Sequence, residues 1–379
     1  MRALIYVQHL LGIGHLKRAA TLARAIAAQG LQVTLVSGGA AVPGVAVDGV
    51  DFVQLPPARA ADLSFKSLLD EFGRVVDAAW KRQRSAALLA AWRAADPQVL
   101  VLELYPFGRR QLRFELLPLL EAAAAAPRRP AIVCSVRDIL GGQQSEARQQ
   151  ETLGLVERYF DHVLVHGDPA VIAFERSFPL AARIAGRIEY TGYVVDSANP
   201  GGDAGKDEVI VSVGGGAVGA RLLETAIRAK PFTELRDRTW RLLAGNYPPG
   251  DALRNLAARA GGVELQPARP DFTTLLANCE LSISQAGYNS VLETVQARAR
   301  AVVVPFAGGN ETEQTLRARC FAERGLLEMV EEAALTPQTL ADAIDRAAPK
   351  PRPAPGAIDL EGARKSAALI ARWANRGPA

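Results

Sequence analysis

The sequence has few of the residues that staple, metallate or anchor a protein. Its three cysteines, Cys134, Cys279 and Cys320, lie far apart, form no CxxC pair and make no ligand cluster with the four histidines. That excludes a disulfide scaffold and a structural zinc site, and points to a reduced, cytoplasmic compartment. Long apolar runs are also missing. The greasiest stretch, Leu116 to Ala126, contains Pro118 and Glu121 and stops at Pro127, short of the roughly 18 apolar residues of a spanning helix. Met1 to Val7 is too short for a signal-peptide core and reads as a first strand. Aromatic residues make up 6% and no aromatic-plus-basic stacking motif occurs, so nucleic acid is not expected as a partner. The net charge of +4 is too small to decide for or against an anionic partner.

What the chain does have is length and apolar content: 379 residues, 49% hydrophobic and 22% charged, enough to bury the cores of two domains. Short β-branched runs alternate with amphipathic stretches. Strands are expected at Ala3–Val7, Gln32–Ser37, Gln98–Leu102, Ala131–Ser135 and His162–His166, with helices at His15–Gln29, Ser64–Ala95 (continuous or broken at Gly73) and Arg113–Ala126. The alternation restarts with strands at Val209–Val213, Thr239–Ala244, Leu281–Ser284 and Ala301–Pro305, and helices at Ala220–Ala229, Asn289–Arg298 and Thr312–Arg324. Strands alternating with helices imply βαβ units and parallel sheets. The expectation is an α/β fold of two Rossmann-like, doubly wound domains facing across a cleft. They would span residues 1–195 and 207–349, joined by a small, polar linker at 196–206. A proline-rich bridge and a terminal helix at Leu360–Trp373, within 350–379, would pack back on the first domain.

Glycine-rich turns mark where ligands approach. Gly12-Ile13-Gly14-His15 joins the first strand to the first helix, but the third glycine of a dinucleotide fingerprint is absent, which disfavours a nicotinamide or flavin enzyme. Gly214-Gly215-Gly216 occupies the equivalent turn of the second half and lacks the Lys-Ser/Thr ending of a P-loop. In Ser284-Gln285-Ala286-Gly287-Tyr288-Asn289-Ser290, a strand delivers the chain to a helix expected to start near Asn289 or Ser290. Free N–H groups and the helix dipole there suit a diphosphate. Glu293, about one turn in, suits a pair of ribose hydroxyls; its alternative role is to cap the first turn. Asn310, Glu313 and Gln314 open a further helix and can bind sugar hydroxyls, or form a capping box.

These residues carry a resemblance. Val209 to Glu328 looks like the donor domain of GT-B glycosyltransferases, and is similar to family 28 in the order Ala286-Gly287, Glu293, Val304-Pro305-Phe306, Glu313-Gln314. The Gly12-x-Gly14-His15 turn resembles that family's acceptor-side turn, and the whole chain looks most like an uncharacterised bacterial branch of such enzymes. The resemblance implies a metal-independent, inverting transfer from a nucleotide sugar, with UDP as the carrier. Glu293 would bind the ribose; Gly287, Tyr288, Asn289 and Ser290 the diphosphate; Gly214 to Gly216 would approach the phosphates. The backbone near Ala268 and Arg269 would face the base, and Asn310, Glu313 and Gln314 the sugar. Glu313 stands where the family has an amide, and Gly216-Ala217 where it has Ser-Gln.

No DxD pair is present, so no metal and no cofactor beyond the nucleotide-sugar co-substrate is expected. The proton acceptor should lie at a strand end of the first domain. His15 leads, because imidazole titrates near neutral pH; Glu103 would orient it or act as base itself. Gly12, Gly14, Arg137 and His166 are further acceptor-side candidates; the alternative is a tight strand-to-helix turn for the two glycines, and a buried salt bridge or loop cap for Arg137 and His166. The acceptor is unspecified; a lipid-linked one, met at the inner face of the membrane by the basic clusters Lys81–Arg84 and Arg109–Arg113, is one option. Two other readings stand beside transfer. One is a UDP-sugar hydrolase, which Gly12-x-Gly14-His15-x-x-Arg18 also resembles. The other is a non-catalytic nucleotide-sugar-binding protein.

Overall fold

A computed structural model describes residues 1–10, 12–42, 44–61, 67–142, 145–196, 201–213, 219–245, 249–308 and 312–376. The chain forms two compact units, the first from 1–196 with 361–379 and the second from 197–360.

In the first unit the strands are β1 (Arg2–Val7), β2 (Gln32–Ser37), β3 (Asp51–Gln54), β4 (Arg59–Ala60), β5 (Leu68–Leu69), β6 (Val99–Glu103), β7 (Ala131–Arg137), β8 (His162–His166) and β9 (Ile188–Tyr190). Its helices are α1 (Gly14–Ala27), α2 (Ala78–Ala95), α3 (Arg113–Ala124), α4 (Glu146–Tyr159) and, from the end of the chain, α11 (Gly362–Arg376). The main sheet runs β3-β2-β1-β6-β7-β8-β9 and every pairing in it is parallel. Both faces are covered, which is why its strands read as near-continuous apolar runs. Leu4 and Tyr6 of β1 face one core, and Ala3, Ile5 and Val7 the other. That second core includes Leu16 and Ala19 of α1 and Ala367 and Ile370 of α11.

The second unit repeats the plan. Its strands are β10 (Val209–Ser212), β11 (Trp240–Leu243), β12 (Val263–Gln266), β13 (Leu281–Ser284), β14 (Ala301–Val303) and β15 (Glu328–Met329). Its helices are α5 (Ala220–Ala229), α6 (Asp251–Arg259), α7 (Phe272–Asn278), α8 (Tyr288–Gln296), α9 (Glu313–Glu323) and α10 (Pro337–Ala347). The sheet order is β12-β11-β10-β13-β14-β15, again parallel. In both sheets the order reverses beside the first strand, at β1/β6 and at β10/β13. A doubly wound sheet opens its ligand crevice outside the carboxyl ends of the strands at such a point.

Two expectations need correction. The long helix at Ser64–Ala95 is not formed over its described first part. Asp70 Oδ1 accepts from the N–H of Phe72 and Arg74 at 2.9 and 2.8 Å, closing a turn. The helix begins only at Ala78, where Asp77 caps it by accepting from Trp80 N at 2.7 Å. In the segment read as a linker, the backbone of Gly202 and Ala204 is fixed to α7, because Asn278 Nδ2 donates to both carbonyls at 2.9 and 3.0 Å.

Candidate functional site

At the switch point of the first unit, α1 and β6 bring two side chains together. His15 is the second residue of α1 and Glu103 the last of β6. His15 Nδ1 lies 2.8 Å from Glu103 Oε1. A carboxylate only accepts, so this contact puts the imidazole proton on Nδ1 and leaves a lone pair on Nε2. The Glu103 side chain is 1% exposed and that of His15 18%, so the carboxylate is sealed while the ring keeps an open edge. Arg18 Nη2 donates to the same Oε1. Burial pushes the His15 imidazolium pKa down to about 4, with Arg109 and Arg137 adding to the fall and Glu103 opposing it. Burial also raises the Glu103 pKa, but His15 and Arg18 overcome this and hold it at about 2. The pair at neutral pH is therefore a neutral imidazole hydrogen-bonded to a carboxylate.

The chain after β6 is built to stop sharply. Leu104 adopts φ +66° and Arg109 φ +60°, left-handed conformations that non-glycine residues rarely hold and that concentrate at functional turns. Gly108 closes this turn by donating to Leu104 O at 2.9 Å. A Cβ there would meet Leu104 Cδ2 at 2.9 Å, so any larger residue would force the Leu104 side chain to shift. Arg109 then folds back, its Nε donating to Gln8 O at 2.9 Å beyond the end of β1. Two arginines, Arg109 and Arg137, thus act electrostatically on His15 from the ends of neighbouring strands.

The other acceptor-side candidates divide. Gly12 is exposed with open space around its Cα, and Gly14 is the first residue of α1, which has no side-chain cap. Arg137 ends β7 and is half-buried. His166 is not at an open surface. It is fully buried at the end of β8, its Nε2 2.8 Å from Ser135 Oγ and its Nδ1 2.9 Å from Thr191 Oγ1, and burial presses its pKa down to about 3. Three arginines of the two basic clusters are ion-paired. Arg84 is wholly buried and ion-paired to Glu115 at 2.7 Å, and Arg110 and Arg113 both pair with Glu151.

In the second unit, β13 leads through Gln285 and Ala286 to Gly287, the N-cap of α8. The helix starts at Tyr288, so Asn289 and Ser290, expected as caps, are its second and third residues. A glycine cap has no side chain to satisfy the first N–H groups, and α8 has no side-chain cap bond. A Cβ on Gly287 would meet nothing within 4 Å. Asn289, Ser290 and Glu293 are half-buried, with Glu293 nearly two turns beyond the cap. Behind them the Arg317 guanidinium lies 5.1 Å from the Tyr288 ring and 2.8 Å from Glu313, which ties the start of α8 to the start of α9. Gln314 Oε1 accepts from Phe306 N at 3.1 Å and so braces the turn after β14. Arg269 forms a two-pronged pair with Asp271 at 2.8 and 2.6 Å. Beside it a cavity of about 680 Å³ is lined by Gly245, Leu265, Gln266, Pro267 and Ala268. Gly214, Gly215, Gly216 and Asn310 lie outside the described residues. Among the described residues no three His, Cys, Asp or Glu side chains could together hold a metal ion, and no helix is long and apolar enough to cross a membrane.

Arg18, which the sequence named only within the Gly12-x-Gly14-His15-x-x-Arg18 turn, joins the pair through Glu103. An arginine on a helix reads as a solvated face. The available signal was its spacing, one turn after His15 on the side of α1 that is buried.

Residues 210–370 match the glycosyltransferase family 28 C-terminal domain. A UDP-N-acetylglucosamine--N-acetylmuramyl-(pentapeptide) pyrophosphoryl-undecaprenol N-acetylglucosamine transferase of Paraburkholderia xenovorans is 31% identical over 161 residues, 41% of this chain and 43% of that protein. The protein of the same name from Granulibacter bethesdensis is 29% identical over 236 residues, 59% of this chain and 56% of its own length. The matches thus span about half the length of these relatives. Among solved structures, the kitacinnamycin glycotransferase superposes with a TM-score of 0.64 at 16% identity, covering 98% of both chains. Acinetobacter baumannii MurG gives 0.59 at 17%, covering 98% of this chain and 100% of its own. The fold is GT-B, and residues 210–370 are similar to the family 28 C-terminal domain.

Proposed function

We propose that this chain, whose residues 210–370 match a family 28 C-terminal domain, is a glycosyltransferase that moves a sugar from a UDP-sugar to an acceptor hydroxyl without a metal ion. That match is the observation that carries the reading, because it contains the uncapped start of α8, Glu293 and Glu313-Gln314. The relatives act with a UDP-linked sugar by name, and the cavity beside Ala268 offers room for a flat base next to backbone.

The chemistry follows from the two sites. His15 Nε2 takes the proton of the acceptor hydroxyl, and Glu103 stabilises the imidazolium that forms. The acceptor oxygen bonds to the anomeric carbon as the bond to the diphosphate oxygen breaks, and the electron pair leaves on the diphosphate. The N–H groups at the start of α8, with the helix dipole, take up that negative charge. A single displacement inverts the anomeric carbon. Arg109 and Arg137 give the acceptor side a positive field that favours an acceptor with an anionic group near its hydroxyl, as in the pyrophosphoryl-linked acceptor of the named relatives. Phe72 and Val75 are 73% and 70% exposed beside Arg74, whose guanidinium lies 4.8 Å from the Phe72 ring. That pairing supports peripheral contact with an anionic bilayer at its cytoplasmic face, which cosedimentation with anionic but not neutral vesicles checks.

The test incubates the full chain with UDP-N-acetylglucosamine and UDP-hexoses, with and without polyprenyl-linked acceptors. The proposal expects UDP release that depends on added acceptor. Equal release of free sugar with no acceptor would identify a hydrolase instead.

A further inference from the structure

Beside the His15–Glu103 pair sits a buried cation that the scheme above does not use. Arg18 sits on α1 one turn beyond His15, 3% exposed. Its Nη2 donates to the Glu103 Oε1 that also accepts from His15 Nδ1, and it lies 3.4 Å from that nitrogen. A carboxylate as buried as Glu103, with only an imidazole beside it, has two ways to lower its cost. It can take up a proton, or it can hold the imidazole as a cation. Either outcome disables a base. At neutral pH His15 carries no charge, so it cannot be the counterion; a permanent cation on the same oxygen can.

We propose that Arg18 is the positioning residue of the His15–Glu103 pair: it keeps Glu103 ionised and its Oε1 fixed, so that His15 donates from Nδ1 and presents the Nε2 lone pair outward. The role rests on His15 being the base, and Arg18 acts through Glu103 without meeting substrate. Other charged groups face the pair. Arg109 from the turn after β6 and Arg137 from the end of β7 disfavour the imidazolium, and His166 at the end of β8 feels both Arg18 and Glu103. Arg18 differs from all of them in sharing the carboxylate oxygen itself.

Nitrogen NMR of ¹⁵N-histidine-labelled full-length protein reads this without any assay of turnover. In the wild type His15 should show the Nδ1–H tautomer from pH 5 to 8; an imidazolium or an Nε2–H tautomer in that range would overturn the proposal whatever the variants do. In Arg18→Gln the His15 pKa should rise by about 1–3 pH units, and the acid limb of kcat/KM should move with it. Arg18→Lys, which keeps the charge, should leave the limb in place. A folded Arg18→Gln protein whose His15 titration and acid limb are unmoved would make Arg18 a packing residue only, even if its rate fell. Full activity in His15→Ala would instead remove the base reading, and the NMR titration would still judge the contact between Arg18 and Glu103.

Discussion

In the proposed transfer, the chemistry of the first unit rests on one hydrogen bond, from His15 Nδ1 to Glu103. His15→Ala should lower kcat by about 10²–10⁴-fold while the dissociation constant for UDP stays as it was. Glu103→Gln should act in the same direction, because an amide can donate as well as accept and no longer fixes the tautomer. Steady-state kinetics beside calorimetric titration with UDP separate the two effects, and a drop in UDP affinity alone would place His15 elsewhere in the cycle. Part of this pair was legible in the sequence. A histidine opening a helix and a glutamate closing a strand both fall at carboxyl ends of a parallel sheet, where ligands gather. His166 carried the same signal but is fully buried, with Ser135 and Thr191 on its two ring nitrogens. Strand order in space, which a lone sequence does not state, separates the two cases.

At the scale of elements, the strands with burial on both faces were the readable ones: β2, β8 and β13 begin and end where their apolar runs do. The edge strands β3 and β12 were missed, because they are short and half-exposed and their side chains alternate with polar ones. The region before α2 misled for another reason. Leu68, Leu69, Val75 and Val76 mimic helical spacing, while Asp70 and Gly73 close a turn between them. The element with most at stake is α8. Its N-cap is a glycine, which offers no side chain to the first turn. Gly287→Asp should reverse that choice. The position has room for a side chain at an ordinary φ of −62°, and a carboxylate there would accept from the first turn. The melting temperature should hold or rise slightly, by a few tenths of a kcal/mol in stability, while UDP affinity falls by tenfold or more, about 1.4 kcal/mol. A variant that binds UDP normally would show that α8 does not meet the diphosphate.

The whole molecule should be acid-sensitive in a defined window. His15 and His166 have pKa values lowered to about 4 and about 3, so between those values and an unfolded histidine's ~6.5 the unfolded chain binds more protons than the folded one. Stability then rises with pH across that window and is lost as pH falls through it. Glu103, held at about 2, adds a loss that begins below its unfolded value of ~4.3. Urea midpoints measured from pH 7 to pH 3 should fall continuously from near pH 6.5. His166→Gln, which keeps hydrogen-bonding groups beside Ser135 and Thr191, should flatten the slope; an unchanged slope would mean that other groups carry it.

The central claim is that the second unit holds the nucleotide of a sugar donor. Calorimetric titration of the full chain with UDP, dTDP, GDP and CDP, with and without Mg²⁺, on wild type and Glu293→Ala, tests it most directly. The account predicts selective binding of UDP, indifferent to Mg²⁺ and lost in a Glu293→Ala protein that remains folded. Binding of none of the four, or UDP binding that survives in Glu293→Ala, would contradict it.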